Sequence, residues 1–458
     1  MSASVGEEQL TAVFHHIDQH EQTYLDRLIE YLRQPSISAH GQGIAEVGEV
    51  LLAWLQKLGF TAELKPTAGW PMVLGRRIED PNLPTVMLYG HYDVQPPDPL
   101  ELWDSPPFEP TIRNGRLYAR GVGDNKGQHT AHLFAMESLL AAHGKLPCNV
   151  IFLLEGEEEI GSPHIAQFIA DHQDELNADL VIISDGPVDH SGQSTIEFGV
   201  RGIVSFELWA RGANQDLHSG NWGGVVPNPL WTLIHLLATM KNDRGEITID
   251  GLYEHVEPPS PLEREALDKL PVNVAEVLAE LDLARLDMPP ERPFFDRLSI
   301  WPTFTINGLH GGYNGPGSKT VLPCQAVAKC DIRLVANQTV SDIMDKVAAH
   351  VQHHAPEVEF VRLGGMDPSK TPIDSPFTVP IRQAIVAAQG KEPLLMPAMG
   401  GSLPNYVFTK TLGLHTFVIP YANADESNHA PNENMEVWRI KQGIKTTASL
   451  LLHLAQLS

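Results

Sequence analysis

The sequence has only three cysteines in 458 residues, Cys148, Cys324 and Cys330, an odd number with none of the close spacings of metal-binding thiols. A disulfide framework finds no support, and the three read as buried free thiols in a reducing compartment. Basic residues are scarce as well: 32 Lys and Arg stand against 57 Asp and Glu, a formal net charge of -25. Nucleic-acid binding relies on neutralising phosphates with Lys and Arg, so this balance argues against such a partner. About eighteen uncharged apolar residues never run together, so no membrane span is expected. The first residues lack the basic n-region and apolar h-region of a signal peptide. These absences give the expectation of a cytoplasmic protein. The usual nucleophile and phosphate motifs are missing too. There is no GxSxG elbow, and the cysteines have no nearby His or Asp pattern of a thiol nucleophile. The loop 311–317 (GGYNGPG) leads into Ser318-Lys319-Thr320 without P-loop spacing.

What is present has a clear rhythm. Residues 21–34 and 44–58 carry apolar positions at three- and four-residue spacing, which predicts helices. Residues 85–90 (TVMLYG), 149–154 (NVIFLL) and 179–184 (DLVIIS) are short apolar runs of the length of buried strands, and helical segments follow at 127–143 and 163–177. Strand and helix in alternation imply an α/β sheet with helices on both faces. Near Gly199 the character changes. Residues 200–211 and 325–335 alternate like strands with one exposed face, and a helical stretch follows the second. From about Thr378 the α/β character returns, with a helix over 377–390 and a buried strand in 415–422 (HTFVIPYA). The expected organisation is a catalytic domain of 1–199 and 373–458 interrupted by an α+β domain, 200–372. Residues 241–300, rich in Pro and acids, show no clear organisation.

The informative residues sit just beyond the apolar runs. TVMLYG leads into His91-Tyr92-Asp93, NVIFLL into Glu155-Gly156-Glu157-Glu158-Glu159, DLVIIS into Asp185, and HTFVIPYA into a loop containing His429. In open α/β sheets, ligands bind outside the carboxyl ends of the strands. Taken singly, each residue has a bland reading: a structural histidine, a helix cap, a solvated acidic face. Together they would crowd two imidazoles and several carboxylates into one crevice, which is costly unless cations compensate. Asp124, in the glycine-flanked turn Gly121-Val122-Gly123-Asp124-Asn125-Lys126-Gly127, supplies one more carboxylate, in a setting that could present both oxygens.

The motifs GHYDVQPP, ARGVGDNKG, LEGEEEIGS, ISDG, DLHSG, GPGSKTVLP, DIRL, GGSLP and NHAPNE, in this order, cover nearly the whole chain. By them the sequence resembles the M20 metallopeptidase family, and within it the carnosinase-type cytosolic dipeptidases. The resemblance implies a mixed, mostly parallel sheet covered by helices, of the dinuclear zinc peptidase type, with the inserted domain serving as lid and dimerisation domain of a homodimer. It implies that His91 and Asp185 hold one divalent metal ion, Glu159 and His429 a second, and that Asp124 bridges them. It further implies that Asp93 orients His91 and that Glu158 is the general base. The acid run alone leaves its register open; anchoring on Glu155-Gly156 and Gly161-Ser162 makes Glu158 the base and Glu159 the ligand. Nitrogen and oxygen ligands without thiolate suit zinc and would also accept manganese or cobalt.

Residues of the inserted domain take roles only through the resemblance. His218 would stabilise the oxyanion, in dimeric relatives in the neighbouring subunit's active site. Arg333, aided by Thr320 and Ser402, would clamp the substrate's terminal carboxylate. The expected activity is hydrolysis of dipeptides or short peptides with a free C-terminal carboxylate, through a water between the metals activated by Glu158. An N-acyl-amino-acid deacylase of the same family is the alternative within enzymes. A non-catalytic binding protein on the same fold is the alternative outside them, and the presence of Glu158 beside a full ligand set argues against it.

Overall fold

A computed structural model of the protein describes residues 6–287 and 292–457, and in it the chain forms two compact units. The first takes the chain up to Gly199, Thr371–Pro397 and the chain from Val407 onward; the second takes Val200–Lys370 and Ala398–Tyr406.

The apolar runs of the first unit become one eight-stranded sheet, in the order Thr61–Lys65, Met72–Arg77, Asn149–Glu155, Thr85–His91, Leu180–Ile183, His415–Val418, Thr195–Glu197, Leu394–Met396. Asn149–Glu155, Thr85–His91, Leu180–Ile183 and His415–Val418 run parallel to one another, as do Leu394–Met396 and Thr195–Glu197; the other pairings are antiparallel. The sheet is thus mixed and mostly parallel. Every residue of Asn149–Glu155 is buried, which is why this strand reads as a continuous apolar run and not as an alternation. Helices Glu7–Gln19, Lys126–His143 and Val437–Leu454 pack together, the second also against Thr85–His91. In the core Phe152 meets Phe60 edge to face at 5.5 Å. Truncating such a buried ring to Ala costs about 3–5 kcal/mol.

The second unit holds a four-stranded antiparallel sheet, in the order Thr303–Gly311, Gln325–Leu334, Gly202–Arg211, Glu359–Met366, with helices Pro229–Met240 and Val340–His354 packed on it. Val204, Phe206, Leu208 and Ala210 point into its core at every second position of Gly202–Arg211. The stretch 241–300 contains the short helices Pro261–Lys269, Val274–Glu280 and Phe294–Ser299, the first opened by a capping box between Ser260 and Glu263.

Two particulars differ from the sequence expectation. Ala398–Tyr406, with Ser402, packs with the second unit and not the first: Arg201 donates from Nε to the Gly400 carbonyl at 2.8 Å and from its backbone N–H to the Gly401 carbonyl at 3.1 Å. Cys148 and Cys330 are buried, but Cys324 is partly exposed, because its strand end is tied at the surface by its N–H donating to Asp216 Oδ1 at 2.9 Å. Among the described residues, no helix is long and apolar enough to cross a membrane.

Candidate metal centre

Three neighbouring parallel strands of the first unit end in chemistry. Thr85–His91 delivers His91 and, two residues on, Asp93. Asn149–Glu155 turns into the short helix Glu158–Ile160, which carries Glu158 and Glu159. Leu180–Ile183 leads to Asp185, and the loop after His415–Val418 brings in His429. Asp124 stands just ahead of helix Lys126–His143, joined to Asn125 by a cis peptide bond. Asn125 fastens two strand ends: its Oδ1 accepts the His91 N–H at 3.4 Å and its Nδ2 donates to the Ser184 carbonyl at 2.6 Å.

Asp124 lies between two imidazole and carboxylate pairs. Its Oδ1 is 3.0 Å from His91 Nε2, which lies 3.5 Å from Asp185 Oδ2. Its Oδ2 is 2.9 Å from His429 Nε2, which lies 3.1 Å from Glu159 Oε2. Ligand atoms of His91, Asp124 and Glu159 all fall within 4.8 Å of one another, the spread of a metal coordination sphere. His91 Nε2 is buried yet makes no properly directed hydrogen bond, the situation of a nitrogen that a cation would take up once the ring is neutral. The donor set of imidazole nitrogens and carboxylate oxygens fits a divalent transition metal.

The electrostatics agree. Burial lowers the pKa of His91, but Asp124, Asp185 and Asp93 around it carry it well above the usual histidine value. Asp124 and Glu159 push His429 up to about 11. Burial and the Asp124 charge raise Glu159 to about 7. Burial also raises Glu158 well above the usual carboxylate range, with Asp185, Glu159 and Asp124 adding to it against the pull of His91. Such crowding of acids is what a bound cation relieves.

Asp93 is fully buried behind His91. Its Oδ1 lies 3.4 Å from His91 Nδ1, and its backbone carbonyl lies 3.1 Å from the same nitrogen. The carboxylate also accepts the N–H groups of Glu158 at 3.2 Å and Glu159 at 3.0 Å. Gln95, absent from the candidates above, joins this arrangement. Its N–H donates to Glu159 Oε1 at 3.1 Å and its amide to Oε2 at 2.9 Å, so it fixes the Glu159 carboxylate from both ends. Its only sequence signal was a place in GHYDVQPP.

The remaining predicted residues form two pairs within the second unit. His218 is exposed, on the two-residue strand Leu217–His218 paired with Val321–Leu322. Its Nδ1 accepts the Gly220 N–H at 2.9 Å, so in the neutral ring the proton sits on Nε2, which is 3.4 Å from Thr320 Oγ1. Arg333, on Gln325–Leu334, donates from Nη1 to Ser402 Oγ at 2.7 Å.

The Peptidase family M20/M25/M40 model matches residues 87–453. The M20 family metallo-carboxypeptidase Sso-CP2 of Sulfolobus solfataricus superposes with a TM-score of 0.89 at 34% identity, over 95% of this chain and 99% of that one. A human Beta-Ala-His dipeptidase is 28% identical over 98% of this chain and 93% of its own length. The Cys-Gly metallodipeptidase DUG1 of Candida albicans is 28% identical over 98% and 99%.

Proposed function

Because the chain belongs to peptidase family M20/M25/M40 and is a metallopeptidase, we propose that it hydrolyses the peptide bond of dipeptides or short peptides that end in a free carboxylate. The observation that carries this reading is the placement of Asp124, whose two oxygens face two different His and carboxylate pairs. In this reading His91, Asp185 and Asp124 hold one divalent ion, and His429, Glu159 and Asp124 hold the other. Zinc suits the donors, with manganese or cobalt as substitutes. Two such ions would polarise the scissile carbonyl and make water acidic enough to attack at neutral pH. Glu158 takes the proton of the attacking water and passes it to the leaving amine, a task served by a carboxylate whose pKa stands above the usual range. Asp93 keeps His91 in orientation.

Arg333, held by Ser402, presents a planar donor fork suited to a terminal carboxylate, with Thr320 as a further hydroxyl donor. His218, with the proton of its neutral ring on Nε2, stabilises the oxyanion. The inserted domain serves as lid and dimerisation domain of a homodimer. In support, Thr303–Gly311 is an edge strand that exposes Ile306 and Leu309, and the nearby helix Pro229–Met240 exposes Trp231 and Ile234. An apolar edge of this kind is a template for pairing with a second copy. The three free thiols suit a cytoplasmic enzyme.

The test is a panel of dipeptides with their C-amidated and N-acetylated counterparts, offered to metal-free protein with and without zinc, manganese or cobalt. Metal-dependent release of amino acids from the free dipeptides, and little from the amidated ones, is expected. Equal cleavage of the amidated set would overturn the carboxylate clamp, and preference for N-acyl amino acids would make the chain a deacylase. No hydrolysis with any metal would leave a binding protein.

A further inference from the structure

Two motif residues have no task in the reading above: Arg120, ahead of Asp124, and Glu433, just after His429. They are 1% and 0% exposed, and Arg120 Nη1 donates to Glu433 Oε2 at 2.7 Å. The same oxygen accepts the Gly121 N–H at 2.9 Å, while Oε1 accepts the N–H groups of Gly123 at 2.8 Å and Asp124 at 3.0 Å. One carboxylate thus gathers four donors, three of them from the backbone that ends at Asp124. On the other side, Arg120 Nη2 reaches the carbonyls of Pro96 at 3.4 Å and Ala430 at 3.3 Å. Pro96 lies in the loop that leaves His91 and Asp93, and Ala430 is the neighbour of His429.

A buried ion pair by itself is weak evidence for stability, since desolvation can cancel its attraction and an apolar pair of similar volume often serves as well. An apolar pair could not accept three N–H groups from one turn. The turn is also built for close approach. Gly121 has φ +86°, and a Cβ on Gly123 would stand 2.2 Å from Glu426 Oε2. Its shape is therefore set by Glu433 on one side and by tight packing on the other.

We propose that Arg120 and Glu433 act as a positioning clamp for the metal centre, fixing the backbone at Asp124 so that its two oxygens diverge toward His91 and His429, and tethering the loops that follow those histidines. The inference rests on the metal-binding reading above and adds residues that touch neither metal nor substrate. Its effect falls on affinity for metal, because a carboxylate swung out of line loses one partner or the other.

The test is titration of metal-free wild type, Glu433→Gln and Arg120→Lys with zinc alone, against a chromophoric chelator, alongside the melting temperature of each metal-free protein. Glu433→Gln should bind zinc about 10–100-fold more weakly, the range for residues behind metal ligands, with unchanged stoichiometry at saturation. Arg120→Lys keeps a charge for Glu433 but loses the fork to Pro96 and Ala430, and should show a smaller loss in the same direction. Zinc affinity within about threefold of wild type in both variants, with only the melting temperature lowered, would reduce the pair to a structural one. If Glu433→Gln does not fold, Arg120→Lys decides by the same criterion. A wild type that binds no zinc would instead sink the metal reading, and the clamp with it.

Discussion

Asp93 Oδ2 accepts the backbone N–H of Glu159 at 3.0 Å, so the carboxylate that stands beside His91 also fixes the loop of a second candidate ligand. Asp93→Ala should therefore weaken metal binding about 10–100-fold, and at both ions. Zinc titration of the metal-free variant gives the answer. A loss confined to one of two sites would limit Asp93 to orienting His91.

Glu158 and Glu159 are neighbours with separate assignments. Glu158→Gln should keep the wild-type metal content and slow turnover by about two to four orders of magnitude, the range for general acid–base catalysis. Glu159→Gln should lose metal. Elemental analysis with initial rates checks both, and the reverse pattern would exchange the two roles.

Metal binding should release protons. His91 is held well above the usual histidine pKa, and His429 at about 11, by the carboxylates around them, so both rings carry a proton at pH 7 in the metal-free site. A metal ligand must be a neutral imidazole, so affinity should rise with pH until His429 titrates. Calorimetry in two buffers of different ionisation enthalpy counts the protons, and an apparent enthalpy independent of buffer would refute the assignment.

His132 makes the fold sensitive to acid. It is buried in helix Lys126–His143 with Nδ1 2.9 Å from Thr447 Oγ1, and burial lowers its pKa from 6.5 to about 3. Between those values the unfolded chain binds a proton that the folded chain does not, so stability is lost as pH falls through this window. The slope is up to about 1.4 kcal/mol per pH unit, or about 2 kcal/mol between pH 6.5 and 5. His132→Gln should flatten this dependence in urea unfolding of metal-free protein at pH 7 and pH 5. An unchanged pH dependence would mean that His132 is protonated in the folded state.

His218→Ala should cost about two to three orders of magnitude in turnover, the usual loss for one oxyanion donor. If each site of a homodimer draws on its neighbour, mixing this variant with Glu158→Gln places both lesions in one site and none in the other. Activity should then recover to about half of wild type per dimer. No recovery despite subunit exchange would place His218 in its own subunit's site or in none.

How much of this could be read in the sequence depends on the range of the interactions involved. The positions of His91, Asp185 and the Glu158-Glu159 turn are marked by the buried strands before them, because burial on both faces writes itself as an apolar run that stops just short of these polar residues, while their roles as candidate ligands and base came only with the resemblance. Asp124 and His429 sit in loops, and only their glycine-rich and NHAPNE settings marked them. Gln95, Arg120 and Glu433 act through hydrogen bonds to backbone or side chains far along the chain, and such bonds leave no periodicity. The packing of Ala398–Tyr406 with the second unit was hidden for the same reason: it depends on Arg201 meeting two carbonyls about 200 residues away. Cys324 was read as buried with the other two because cysteine count and spacing do not report exposure, whereas its N–H is tied to Asp216 Oδ1 and it stays partly exposed.

The strand His415–Val418 lies between Leu180–Ile183 and Thr195–Glu197, inside the large sheet and not at its margin. On the ribosome its two neighbours emerge long before it does. At ~5–20 residues per second, the wait from residue 183 to residue 415 is on the order of tens of seconds. Until then Leu180–Ile183 lacks its partner on that side, Thr195–Glu197 waits for both of its neighbours, His415–Val418 and Leu394–Met396, and His429 has not yet been made. The entire second unit is synthesised within that interval and has its own core to form meanwhile. The candidate metal centre therefore cannot be assembled before His429 is made, and until residue 415 is reached the Leu180–Ile183 edge of the sheet stays open to pairing with other chains.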